Sequence, residues 1–247
     1  MSDGLVQILE GNTFVVSDDR GDIEASLTDP TGLFSFDTRF LSRWVLTVNG
    51  ERLNVLSTDD VQYFQTRFFL VPGSGSVYVD SKVSVIRQRE VADGFREELR
   101  VLNHQSEPAD LQLRIEAASD FADLFEVKDA LSKTGHYQQR VVGGHLVLDY
   151  RRDTYVRETW ISSTSPASID ERGLSFSITV PPHGEWTTSL DVVASTGSAE
   201  GPSDGPARVG ASAGCGGTWG GDSRSGCSEP RPSNATGNRL SPSTAVA

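Results

Sequence analysis

The sequence predicts an all-β fold, an antiparallel β-sandwich with a disordered C-terminal tail, and three observations predict it. Two-residue turn signals, Asn49-Gly50, Asp93-Gly94 and Gly143-Gly144, each separate two β-rich runs, and loops of this chemistry join antiparallel strands. The runs alternate apolar and polar residues, as where Leu99 and Val101 alternate with Arg96, Glu98 and Arg100. That is the period of a strand with one buried and one wet face. No 3.6-residue pattern outlasts a turn or two, so helices are not expected to carry the fold.

Taken in order, residues 5–9 and 13–17 are short β runs, and Asp18 to Asp22 between the second run and Ile23 is turn chemistry. Residues 32–50 pack Phe34, Phe36, Phe40, Leu41 and Trp44 around Asp37 and Arg39, after chain breaks at Pro30 and Gly32. Residues 44–48 and 51–56 form the hairpin around Asn49-Gly50. Residues 61–71 are apolar on both alternation faces and read as one strand covered on both sides, ended by Pro72-Gly73 and the following residues 74–76. That glycine-rich loop is followed by neither Gly-Lys-Ser/Thr nor a helix, so it is not a phosphate cradle. Strands over 77–92 and 95–103 flank Asp93-Gly94, and Leu111, Leu113, Ile115 and Ala117 point inward on the next strand. Runs at 135–142, 145–151, 156–162, 174–180 and 185–193 complete the sandwich, with turns at Ser165-Pro166 and Pro181 to Gly184.

The folded domain is expected to end near residue 195. Residues 196–247 hold 11 Gly, 9 Ser, 7 Ala and 5 Pro and almost no larger apolar residues, too few to offset the entropy of ordering. This segment is either a shifted reading frame of a GC-rich gene or a genuine extension. Its four acids balance four arginines, so the whole net charge of -12 belongs to residues 1–195. An acidic domain lacks the basic face that phosphate backbones require, and nucleic acid is excluded as a partner.

Both cysteines, Cys215 and Cys227, lie in the tail with no histidine near them, so neither a zinc site nor a disulfide framework is expected. The start, Met1-Ser2-Asp3-Gly4, has no secretory pattern, and no run approaches the roughly 18 apolar residues of a membrane span. A cytoplasmic protein that does not enter membranes is expected, with no cofactor and no metal.

Two clusters are candidates for polar chemistry. Asp37 and Arg39, beside Trp44, are either a corner ion pair or a face where a hydroxyl-rich ligand or another domain docks. Asp120, Asp123 and Glu126 recur every three residues and would share one face of a helical turn. They are either acid/base or metal-binding carboxylates, or a capped turn whose acids pair with arginines. His104, His136, His145 and His183 sit in or beside turns at no ligand spacing and read as exposed polar residues. No nucleophile elbow, zincin, Cys-x-x-Cys, Walker or dinucleotide motif is present.

These stretches also carry a resemblance. Gly21-Asp22-Ile23, Gly32-Leu33-Phe34, Asp37-Thr38-Arg39-Phe40-Leu41-Ser42, Asn49-Gly50 and the run from Ala118 to Val127 resemble the N-terminal β domain of glycogen debranching enzymes of the amylo-alpha-1,6-glucosidase type, over about residues 5–195. In that family the domain precedes an (α/α)6 toroid that carries the carboxylates cleaving α-1,6 branches. Past residue 195 this chain shows no helical array, so the resemblance transfers no catalytic residue. It implies a non-catalytic domain that packs on such a toroid, encoded separately, and helps shape its glucan site. A free-standing carbohydrate-binding module and an inactive structural fragment are the other readings, with α-glucan the ligand of the first. The resemblance also implies that the aromatic runs 34–44, 63–70 and 121–125 face the toroid, with Asp37, Arg39, Asp120, Asp123 and Glu126 as polar contacts. Bare of a toroid, such a face is expected to drive self-association.

Overall fold

A computed structural model describes residues 4–26, 30–73, 82–92, 94–129 and 131–196. It bears out the antiparallel sandwich: among the described residues there are seventeen strands and one helix of five residues. The tail segment 197–247, the start of the predicted strand at 77–81, the loop residues 74–76 and Asp93 lie outside the described residues.

A small sheet joins β1 (Val6–Glu10), β2 (Thr13–Ser17), β4 (Gly32–Ser35) and β5 (Thr38–Leu41) in that order. On one face the rings of Phe14 and Phe34, cross-strand partners of β2 and β4, stack 4.7 Å apart. The large sheet runs β12 (His136–Val142), β13 (His145–Arg152), β14 (Tyr155–Ser163), β17 (Glu185–Ser195), β10 (Phe95–Asn103), β9 (Val83–Val91), β8 (Gln65–Pro72), β7 (Glu51–Gln62), β6 (Arg43–Val48), β11 (Ala109–Ala118), β16 (Gly173–Val180) and β15 (Ser168–Asp170). The two-residue β3 (Ile23–Glu24) adds to β6.

The large sheet folds over on itself because β7 changes partner. Its first two residues pair with β6 and its remainder pairs with β8. Asn49 and Gly50 both take positive φ, 52° and 83°, the turn whose twist matches the strands it joins, and this fixes Val48 opposite Glu51. Gly143 and Gly144 do the same between β12 and β13. The two halves meet through rings: Trp44 of β6 edges onto Phe95 of β10 at 5.8 Å, and Phe176 of β16 onto Trp186 of β17 at 5.5 Å.

The strand expected over 61–71 is corrected. Tyr63 and Phe64 form the turn between β7 and β8, and β7 continues through Ser57, Thr58, Asp59 and Asp60 as far as Gln62. Asp59 and Asp60, of low strand propensity, are held there by the ladder to β8 rather than by their own preference. Within β8, Phe68 and Leu70 are buried while Arg67 and Phe69 are half-buried on the other face.

The core is not purely apolar. Arg87, Arg89 and Glu97 are fully buried and Asp22 nearly so, two cations facing two carboxylates. Arg87 donates to Asp22 Oδ1 at 2.6 Å and to Glu97 Oε1 at 3.1 Å, and Arg89 donates to Glu97 Oε2 from Nε at 2.8 Å. Arg89 Nη2 also donates to the Gly21 carbonyl, and its guanidinium lies 5.1 Å from the Phe95 ring and 5.3 Å from the Phe68 ring. Burial alone would raise the Glu97 carboxyl, but the two guanidinium charges outweigh it and hold it below the ordinary range. Burial lowers Arg89, whereas for Arg87 the charges of Glu97 and Asp22 overcome burial and raise it. Gly21 has no alternative here: its φ is 79°, and a Cβ would come 2.8 Å from the Phe68 ring.

Candidate functional site

The predicted clusters meet at one corner of the small sheet. Between β4 and β5 the chain turns at Phe36 and Asp37, with Phe36 at φ 54°. Strand β5 then carries Arg39 inward, and Gly32 on the neighbouring strand makes room for it: a Cβ on Gly32 would stand 2.5 Å from Arg39 Cδ. The guanidinium lies 5.8 Å from the Phe34 ring and donates to the Thr31 carbonyl at 3.2 Å.

Arg39 grips Asp120 with two parallel bonds, Nε to Oδ1 at 3.0 Å and Nη2 to Oδ2 at 2.5 Å. The arginine side chain is 4% exposed and the carboxylate 40%. A bidentate pair of this kind is directional and rigid, so β5 and the segment after β11 are fixed to each other. The Arg39 N–H also donates to the Ala122 carbonyl at 2.8 Å.

Helix α1 (Leu124–Lys128) starts from the same corner. Asp123 caps it, accepting from the N–H groups of Phe125 and Glu126 at 3.0 and 2.8 Å, and Glu126 Oε2 accepts from the Asp123 N–H at 2.8 Å. This reciprocal pair satisfies the free donors of the first turn. The Asp37 carbonyl accepts from the Leu124 N–H at 2.9 Å. So the structure brings Asp37, Arg39, Asp120, Asp123 and Glu126 together.

Trp44 does not join them. It is fully buried in the core and donates to Glu97 Oε1 at 3.2 Å.

Of the two readings of the acidic run, the capped turn matches this geometry, with one change. Asp120 pairs with an arginine as expected, but Glu126 pairs with Lys133, whose ammonium lies 2.9 Å from Oε2. Lys133 also sits over the rings of Tyr155 and Tyr150, at 5.3 and 5.7 Å. Burial would lower this ammonium, yet the hydrogen bond and charge of Glu126 outweigh it and raise it.

Tyr137 closes the corner, its hydroxyl within reach of the carbonyls of Asp120 at 3.0 Å and Lys133 at 3.1 Å. Burial, with the neighbouring Tyr150 and Asp120, pushes it up to about 12. The sequence reading missed both Lys133 and Tyr137, which follow α1 at no recognisable spacing. Together with Arg39, Asp120 and Glu126 they line a cleft of about 290 Å³.

The aromatic face expected from the resemblance is corrected by burial. Phe34, Phe40, Trp44, Phe68, Leu70 and Phe121 are core residues. What remains outside at this corner is Leu124, Phe125 at 74% exposure, Leu131 and Tyr137, with Phe36 beside them. Among the described residues, no group of three or more His, Cys, Asp or Glu is placed to hold a metal, and no helix is long and apolar enough to cross a membrane.

Residues 8–191 match the family model of the N-terminal domain of (some) glycogen debranching enzymes. No curated protein matches the chain. Similar solved structures include a protein assigned as a kojibiose phosphorylase from the human microbiome, at 11% identity and a TM-score of 0.46, over 71% of this chain and 25% of that one. A protein assigned as an aldose 1-epimerase from Escherichia coli K12 is similar at 10% identity and a TM-score of 0.44, over 78% of this chain and 99% of that one. The 4-alpha-glucanotransferase of Thermococcus litoralis is similar at 10% identity and a TM-score of 0.34, over 77% of this chain and 37% of that one. The chain thus spans about a quarter of the phosphorylase.

Proposed function

Because the chain belongs to the family of N-terminal domains of glycogen debranching enzymes, we propose that it is a non-catalytic domain of α-glucan metabolism. It packs through the α1 corner onto a catalytic (α/α)6 toroid and helps shape the glucan cleft there. The observation that carries this reading is the pairing of exposed apolar residues with a rigid base. Leu124, Phe125, Leu131 and Tyr137 are all more than two-fifths exposed, yet they rest on the Arg39–Asp120 pair and the Asp123–Glu126 capping box. Exposed apolar groups gathered on a fixed support mark interaction sites, and ordering entropy for such a support is spent before the partner arrives.

The carboxylates at the corner are poorly placed for hydrolysis. A glycosidase needs a protonated acid and a second carboxylate facing it across the sugar. Both Asp120 oxygens are held by Arg39, and Glu126 Oε2 accepts from Lys133 and from the Asp123 N–H. The expected outcome is that the purified 247-residue chain releases no glucose from a branched limit dextrin. Glucose release proportional to protein, and lost in Asp120→Asn or Glu126→Gln, would overturn the reading.

A further inference from the structure

A second groove lies on the large sheet, where β9, β10, β17, β14 and β13 adjoin. It measures about 440 Å³ and is lined by Trp160, His145, Arg96, Asp191, Glu90 and Ser162 among others. This is within the range of small-molecule sites, about 300–1,000 Å³. Arg96, Asp191, Ser162 and Trp160 share the face of the sheet turned away from the buried Phe95 and Val192, so the groove lies on the outer face.

The chemistry of the walls is specific. Trp160 is half-buried, its N–H is bound to Glu158 Oε2 at 2.9 Å, and the His145 ring meets it edge-on at 5.8 Å. With its polar atom occupied, what Trp160 offers the trough is ring surface. Next to it Arg96 donates to Asp191 Oδ1 at 2.7 Å, leaving further guanidinium donors and a second carboxylate oxygen for a ligand.

Flat ring surface beside paired acceptor and donor groups fits a pyranose, which has apolar C–H faces and vicinal hydroxyls around its edge. The charges exclude an anionic polymer: Glu90 and Asp191 line the trough against Arg96, and the domain as a whole is acidic. We propose that this trough binds a neutral α-glucan chain, with Trp160 as the stacking platform and Arg96 and Asp191 as the hydroxyl-reading pair. The inference rests on the reading of the domain as a part of α-glucan metabolism.

The test is a titration of the full chain with maltoheptaose, followed by calorimetry and by the indole N–H resonance of Trp160. Saturable heat and a shift of that resonance are expected, with affinity weakened about tenfold or more in Trp160→Ala and in Asp191→Ala. Far-UV and near-UV dichroism check that each variant folds. Leu56→Ser, an exposed residue of β7 that lines neither this groove nor the α1 corner, leaves glucan binding unchanged. Absence of heat and of any shift, undiminished affinity in both folded variants, or binding of heparin in place of maltoheptaose would each overturn the proposal. Failure of the chain to dock on a toroid would refute the docking reading alone and leave this titration standing.

Discussion

Trp44 Nε1 donates to Glu97 Oε1 at 3.2 Å, tying β6 to β10 through the middle of the core. The bond explains how a carboxylate sits fully buried: its oxygens are taken by one indole and two guanidinium groups. Replacing the carboxylate by an amide leaves Arg87 and Arg89 buried with only Asp22 as counter-charge. Glu97→Gln is expected to cost about 3–5 kcal/mol, measured by urea unfolding at neutral pH. The sign of its pH dependence follows from the depressed carboxyl. The stabilisation is complete above the unfolded value of about 4.3 and is lost as pH falls through the lower folded value, so wild type and variant converge in acid.

This quartet also marks where the sequence was legible and where it was not. Alternation correctly turned Leu99 and Val101 inward, and the same parity puts Glu97 on their face and Arg87 and Arg89 on the face of Val85 and Val91. The signal was present, but a charge on an apolar face has no meaning until its partner is known. Asp22 is 65 residues from Arg87 in sequence. Of the two readings left open for Asp120, Asp123 and Glu126, the capped turn was legible because a capping box is local, whereas Lys133 and Tyr137 reach it by tertiary folding alone. Trp44 was grouped with Arg39 by proximity in sequence, and the strand's alternation sends it into the core instead.

At the corner, Asp120→Asn removes the charge that Arg39 grips while the guanidinium stays 4% exposed. Because the carboxylate itself is 40% exposed, the cost is discounted to about 1–2 kcal/mol. Hydrogen exchange is expected to accelerate in α1 and at the Arg39 amide and to stay unchanged in β10.

Alkaline pH loosens the same corner. Tyr137 titrates near 12 in the folded chain, against about 10 when unfolded. Between these values the unfolded state has lost the proton that the folded state keeps, so stability falls as pH rises from about 10 to about 12. Tyr137→Phe is expected to be less sloped than wild type across that window in thermal melts.

The composition of residues 196–247 predicts little apolar burial from them. A chain ending at Ser195, the last residue of β17, is expected to melt within about 3 °C of the full chain. A larger drop would show that residues 196–247 bury apolar surface against the sandwich.

The central claim is that the α1 corner receives a catalytic toroid. The most direct measurement mixes the chain with an isolated (α/α)6 toroid of a debranching enzyme of this family and follows complex formation by light scattering, for wild type and for Phe125→Asp/Leu131→Asp. The account predicts a one-to-one complex that the double variant weakens by about tenfold or more. A chain that stays separate from the toroid, or a double variant that binds it as tightly as wild type, would contradict the account.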